Sequence, residues 1–399
     1  HAGSVLHPTK SKIAVSAPEV FSINTEGVST FMQQFSGKNT LQQLHVLCSH
    51  ISVTKIVQTI SKGHITGLDA MLQKCLEHYR ACTKTPKATV NQMVANYDNC
   101  LSCVRGKSKR QPTSVKKAAP QKPRKEEQAI IDARNARSGR HVFSHWNADW
   151  KAWSVKSYHG HTGCVFHIDT ESSMIDLAAC MKRSEWEGEA KRVIAKSVIK
   201  LLEMKHEGVS VQVGPPTYTS DNDTCITTKD FKTFTDAMGI VHNLSASYTP
   251  EENIKVERSI YTIHAHARTN MISGGAPASF MMDAYLNFRF AYHRFNHRGN
   301  EGEKPPLMIS NGKPCSSEGL VPFMCLAAMN IEKKFRPSNG GVPSVWVWVL
   351  YHREDSSAYR VWKDTDLPRM TFMDSKHLTI IPTVLYSMRE SMAIPGYCD

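Results

Sequence analysis

The sequence predicts a mixed α/β protein: a sheet covered by helices, with a small helical unit before it and a β-rich unit after it. Three observations predict this. Short apolar runs at 142–148, 164–168 and 174–180 read as strands and lead into helical periodicity over 188–206. Upstream, His45, His50, Cys100 and Cys103 bring ligand-type side chains to a stretch whose own core would be thin. From 345 to 381, aromatic and β-branched residues alternate between turn signals, as in a small β-barrel.

In chain order, the composition divides into an N-terminal extension (1–40), a helical unit (41–104), a basic linker (105–140), the α/β core (141–295), a β-rich unit (296–385) and a tail (386–399). Ser52 can cap a helix that buries Val53, Ile56, Val57 and Ile60 and stops at Gly63. Two imidazoles and two thiolates make a closed, structural zinc site, so Zn²⁺ binding would be folding free energy. Cys75 and Cys82 are open as rival ligands, although Cys75 also reads as a core thiol beside Leu72 and Leu76.

The linker carries Arg105, Lys107, Lys109, Arg110, Lys116, Lys117, Lys122, Arg124 and Lys125 among Gln, Pro, Ala and Ser. It is too polar to bury a core. With 49 basic against 36 acidic residues, a net charge of +13 and a pI near 9.2, nucleic-acid backbone contact is the expectation for Lys107, Lys109, Arg110, Lys116, Lys117, Arg124 and Lys125.

In the core, Ala190, Ile194, Val198, Leu201 and Leu202 mark the buried side of the helix at 188–206. Val209, Val211 and Val213 alternate as a strand, and Gly214-Pro215-Pro216 then breaks the chain before 217–221. Thr249-Pro250-Glu251-Glu252 has a cap, a first-turn proline and an acid where a helix starts. Val256, Ile260, Ile263, Ala267 and Met271 would bury one face of that helix, leaving Glu257 on the neighbouring face and Asn253 one turn before it. Residues 278–293 form a further amphipathic helix, and Trp346 and Trp348 read as core rather than as DNA contacts.

Asp221 and Glu257 stand with 35 residues between them. Attack of a hydroxyl on a phosphodiester builds charge on the leaving oxygen, which carboxylate-held divalent ions offset. Hard oxygen ligands suit Mg²⁺, or Mn²⁺ in its place. For a third acid two aspartates compete: Asp149 in HVFSHWNADW, and Asp169, which follows the better strand in GCVFHIDT.

The stretch TSDNDTCITTKDFKTFTDAMGIVHNLSASYTPEENIKVERS resembles copia-type LTR retrotransposon integrases, a family of retroviral-type DDE polynucleotidyl transferases. The resemblance spans roughly residues 41–381 and is densest around Asp221 and Glu257. It implies an RNase H-like core, with Asp149, Asp221 and Glu257 as catalytic metal ligands and Asp169 non-catalytic. It also implies an HHCC zinc domain, Asn253 among the DNA contacts, and joining of element cDNA 3′ ends to target DNA by a homo-oligomer. A nuclear location reached through cytoplasmic virus-like particles follows from the same resemblance. This sequence departs from the pattern at Leu44 and Ser49, where the family has Trp and Gly, and at Lys151-Ala152. It departs again at Asp223-Thr224-Cys225, where two glycines and an acid are expected, and at Ile254. A turn made without those glycines is expected to cost conformational energy.

Other readings are a decayed or domesticated integrase-derived DNA-binding protein and an RNase H-type nuclease. No apolar stretch is long enough to span a membrane, and neither a membrane nor a small-molecule substrate is expected. The first residue is His1, which suggests a fragment or polyprotein product, and the 11 cysteines fit a metal site better than a disulfide framework.

Overall fold

Side-chain alternation builds the central sheet. The computed structural model describes residues 40–97, 100–107, 143–206, 215–245, 254–331, 344–363 and 371–388. Ahead of the sheet come α1 (Thr40–Leu47), α2 (Val53–Ser61), β1 (Ile65–Thr66), α3 (Asp69–Thr83), α4 (Val90–Ala95) and α5 (Leu101–Lys107). The sheet holds β2 (His145–Ala152), β3 (Gly163–Asp169), β4 (Ile175–Cys180), β5 (Thr217–Ser220) and β6 (Val241–Leu244), in the order β4-β3-β2-β5-β6. β2, β3 and β4 are antiparallel, whereas β5 joins β2 and β6 joins β5 in parallel. Parallel neighbours need a crossover, and α7 (Lys229–Ala237) supplies it between β5 and β6, as α6 (Trp186–His206) links β4 to β5.

Each face of the sheet has its own cover. Trp146, Ala148, Val165 and Tyr218 pack with Trp186, Ala190, Val193, Ile194 and Phe231 of α6 and α7. Cys164, Phe166 and Ile168 pack the other way, against Val256, Ile260 and Ile263 of α8 (Ile254–Gly274) and Tyr285 and Phe288 of α9 (Met281–Tyr292). The chain continues through α10 (Pro306–Asn311) to β7 (Cys315–Ser316), which pairs in parallel with β1. Then β8 (Cys325–Asn330), β9 (Ser344–His352), β10 (Tyr359–Lys363), β11 (Thr371–Ser375) and β12 (Leu378–Leu385) form an antiparallel sheet in the order β11-β10-β9-β8-β12.

Several expectations change here. The first core strand runs 145–152, not 142–148, so Asp149 sits inside it. The strand that pairs with β2 is β5, running straight into Asp221; the alternating Val209, Val211 and Val213 and the cap Thr249-Pro250 lie outside the described residues. Leu202 is 61% exposed, not buried, although Leu201 beside it is buried: Leu202 falls on the outward face of the helix with Ile199, one turn earlier and 58% exposed. For the β-rich unit, no ladder joins β11 to β12 among the described residues, so it is an open five-stranded sheet there and not a closed barrel. Trp348 is fully buried in it. No helix of the described residues is long and apolar enough to cross a membrane.

The three units share one junction. Asn287 of α9 is 4% exposed. Its Oδ1 accepts from Ser49 Oγ (2.8 Å) and Asn270 Nδ2 (3.1 Å), and its Nδ2 donates to the carbonyls of Val321 (3.2 Å) and Leu350 (3.0 Å). Asn287→Ala leaves four buried polar groups without that partner and is expected to cost about 3–4 kcal/mol. Urea denaturation measures it; a loss below about 1 kcal/mol would show that the groups find other partners.

His167 on β3 is fully buried, and neither ring nitrogen has a hydrogen-bond partner among the described residues. Burial holds it down to about 4, with Asp176 opposing and Arg192 assisting. Because the unfolded chain takes up this proton near 6.5 and the folded chain does not, stability is lost as pH falls from about 6.5 towards 4. The expected loss is roughly 3 kcal/mol. His167→Leu should flatten that part of the stability–pH curve; an unchanged curve would assign the acid sensitivity elsewhere.

Candidate catalytic carboxylates and metal centre

Register places two acids side by side. The last β2–β5 partners are Ala148 and Ser220, on strands about 4.8 Å apart, so Asp149 within β2 and Asp221 just past the end of β5 are the residues that follow that pair. Ala148 packs towards α6, and alternation therefore turns Asp149 to the α8 face. Glu257 is on the first turn of α8, whose Val256 and Ile260 are buried against the same face, and Glu257 itself is exposed.

The electrostatics agree with this placement. Burial pushes Asp149 up to about 6, and Asp221 and then Glu257 add to the rise; a hydrogen bond from Trp150 N (2.7 Å) and the Arg183 charge oppose it. Asp221 accepts from Ser245 Oγ (3.1 Å). Three carboxylates thus share one end of the sheet with the Arg183 guanidinium, which is itself ion-paired with Asp223. Their oxygens do not all lie within 4.8 Å of one another. Mg²⁺ takes one or two carboxylates and completes its shell with waters and substrate phosphate, so the donor set fits a hard divalent ion.

Asp169 has other work. It is fully buried, and its carboxylate accepts from Phe143 N (3.1 Å), Ser172 N (2.9 Å) and Ser172 Oγ (2.5 Å). These bonds close the β3–β4 turn and leave it a structural role.

The loop after Asp221 forms without glycine. No residue from 221 to 228 has a positive φ; Asp223 Oδ1 accepts from Cys225 N (2.8 Å), making an Asx turn. The expected conformational cost is therefore absent. Arg183, which pairs with Asp223, was not singled out as a site residue, and nothing in its spacing would have done so.

Upstream, one ligand atom from each of His45, His50, Cys100 and Cys103 lies within 4.8 Å of the others. His45 Nε2 is 3.1 Å from Cys103 Sγ, and His50 Nδ1 is 3.5 Å from Cys100 Sγ and 3.7 Å from Cys103 Sγ. The edges of a tetrahedral zinc site with these donors are about 3.3–3.8 Å, so the four atoms fit the ion. His45 Nδ1 donates to the Ile51 carbonyl (2.8 Å), which leaves Nε2 as the free lone pair. A hydrogen bond from Cys103 pulls the Cys100 thiol far down, against burial and with help from His45 and His50; the same contact and burial push Cys103 up. Cys75 is buried in the core and Cys82 is exposed, both outside the cluster.

Ser49, where glycine was expected, has a φ of 52°, and His50 follows at 59°. The turn still calls for the left-handed conformation. Ser49 meets it while donating to Asn287. Lys107, grouped with the basic linker, ends α5 and turns inward: its ammonium donates to the His50 carbonyl (2.7 Å). Lys109, Arg110, Lys116, Lys117, Arg124, Lys125 and Asn253 lie outside the described residues.

No protein-family model matches the chain, and no curated protein matches it. Among solved structures it is similar to the simian T-cell lymphotropic virus intasome in complex with PP2A regulatory subunit B56 gamma. That match has 14% identity and a TM-score of 0.34 and covers 75% of this chain and 94% of that one. It is also similar to the HTLV-2 integrase catalytic core domain in complex with magnesium, in a trimeric form, at 14% identity and a TM-score of 0.30 over 43% of this chain and 99% of that one. At these scores the likenesses carry no functional weight.

Proposed function

We propose that the chain is an integrase-type polynucleotidyl transferase that joins the 3′ ends of element cDNA to target DNA, with trimming of those ends as an accompanying reaction. The observation that carries this reading is that Asp149 and Asp221 each follow the last β2–β5 partners, Ala148 and Ser220, with α8, which bears Glu257, packed on that sheet. The copia-type resemblance gives the same three residues from sequence. The proposed core is RNase H-like, consistent with its mixed sheet and covering helices.

Bound at these acids, Mg²⁺ or Mn²⁺ supplies activation of the attacking hydroxyl and stabilisation of the leaving oxygen. The protein's part is placement. Asp149 and Asp221 are held by paired strands and Glu257 by a helix with a buried face, so little reorganisation is needed on binding. Zn²⁺ is proposed as the structural ion at His45, His50, Cys100 and Cys103. The basic residues after Lys107 are proposed DNA backbone contacts, a homo-oligomer follows from the need to join two ends, and the nucleus is the proposed site of action.

The test is joining of a duplex with a recessed 3′ end into plasmid in Mg²⁺ or Mn²⁺. Joined product supports the reading. Salt-sensitive DNA binding with no joining would instead favour the binding-protein alternative, and cleavage of RNA in RNA–DNA hybrids would favour the nuclease.

A further inference from the structure

We propose that Lys55 and Arg298 form a phosphate-binding site for a nucleic-acid backbone, at the seam between α2 and the loop that follows α9. The proposal rests on the polynucleotidyl transferase reading and adds a DNA contact to it.

The seam is built by side chains that, among the described residues, leave these two cations without an ion-pair partner. Asn296 N donates to Thr59 Oγ1 of α2 (3.1 Å), and the Asn296 side chain meets His64 Nδ1 (2.7 Å). On the far side the loop is held by Asn300, whose Nδ2 donates to the Ser172 carbonyl (2.8 Å) and whose Oδ1 accepts from Ser173 Oγ (2.8 Å). Lys55 lies one helical turn before Thr59, whose hydroxyl donates to its carbonyl (2.7 Å), and therefore shares the docked face. Arg298 lies two residues past Asn296 and is exposed.

No carboxylate lies within ion-pair distance of Lys55 or Arg298 among the described residues. Glu303 is in the field of Arg298 but is taken by Lys62 at 2.6 Å. A third positive charge, Lys255 on the first turn of α8, is anchored to the Thr170 carbonyl. Burial and the Arg298 charge hold Lys55 down to about 8. His297, between them in the loop, is depressed by burial and then by Lys55 and Lys255. The field at the seam is thus positive and partly dry, and among the described residues no carboxylate pairs with Lys55 or Arg298, conditions that favour a charge-assisted contact to a phosphodiester.

Position suits a duplex engaged at the acids. Lys255 stands two residues from Glu257, and its anchor Thr170 follows Asp169, whose β2 partner is Trp146. That point is about 10 Å along β2 from Asp149. A backbone leaving the carboxylates towards α2 would cross the seam.

The test measures duplex binding against salt for the wild type, Arg298→Gln, Lys55→Met, the double variant and Lys55→Arg, with melting temperatures for each. Each lost phosphate contact should reduce the slope of log K on log salt by about 0.9, and the double variant by about 1.8. Lys55→Arg should keep the slope. Because Lys55→Met removes a half-buried unpaired charge, its melting temperature should stay or rise while binding weakens. A wild-type slope retained by the double variant overturns the proposal and leaves the transferase reading intact. Binding lost together with melting temperature shows a structural role and also overturns it. A wild type that neither binds duplex nor joins ends removes the reading beneath both.

Discussion

Chelating the metal from His45, His50, Cys100 and Cys103 is expected to free residues 40–107 from the core before the core itself unfolds. The unit binds to its neighbours through backbone beside the metal ligands: the Ser49 carbonyl meets His266 Nδ1 of α8 (3.3 Å), and Arg268 Nε donates to the Gly106 carbonyl (2.6 Å). α5 lies so close to α8 that a Cβ on Gly106 would come within 2.7 Å of the Thr269 backbone. Without the ion, two thiols and two imidazoles are left to hold a turn that contains two consecutive left-handed non-glycine residues. Structural zinc is worth about 10 kcal/mol or more in isolated fingers. Here packing on α8 retains part of the structure, so amide protection in α1, α2 and α5 should fall by roughly a hundredfold or more, equivalent to about 3 kcal/mol. Cys103→Ser should have the same effect. Hydrogen exchange before and after chelation reads it, and unchanged protection would mean that packing alone holds the unit.

Asp221→Asn is expected to leave folding and duplex binding unchanged and to lower strand transfer by on the order of a thousandfold. That factor corresponds to several kcal/mol of lost charge stabilisation at the leaving oxygen. Asp221 is exposed at the end of β5, so an amide of the same shape has little packing consequence. Its removal also takes away a charge that raises Asp149. Lost activity in a protein with a lower melting temperature would instead mark the carboxylate as structural.

Much of this site was legible in the sequence because local signals and tertiary placement coincide. The buried stripe Val256, Ile260, Ile263, Ala267 and Met271 has the periodicity of α8, and a helix with that stripe can present Glu257 only near its edge. The His and Cys spacings converge as their chemistry suggested. What was not legible depended on partners distant in sequence. Asp169 follows the cleaner strand pattern, yet Ser172 and Phe143 N occupy its carboxylate. Asp149 lies in a strand whose alternation is blurred because β2 is covered on both faces. Lys107 reads in the sequence as part of a basic linker that contacts nucleic acid, whereas the His50 carbonyl turns it inward. Open or closed β topology at the C-terminus depends on edge pairing, which strand patterning does not encode.

The most direct test of the account is strand transfer by the wild-type chain and its Asp221→Asn variant, side by side in Mg²⁺ and in Mn²⁺. A duplex with a recessed 3′ end and a plasmid target serve as substrates. The account predicts joined product from the wild type in either ion and its loss in the variant, with duplex binding equal in both. Equal binding with no joining by either protein, or joining that survives Asp221→Asn, would contradict it.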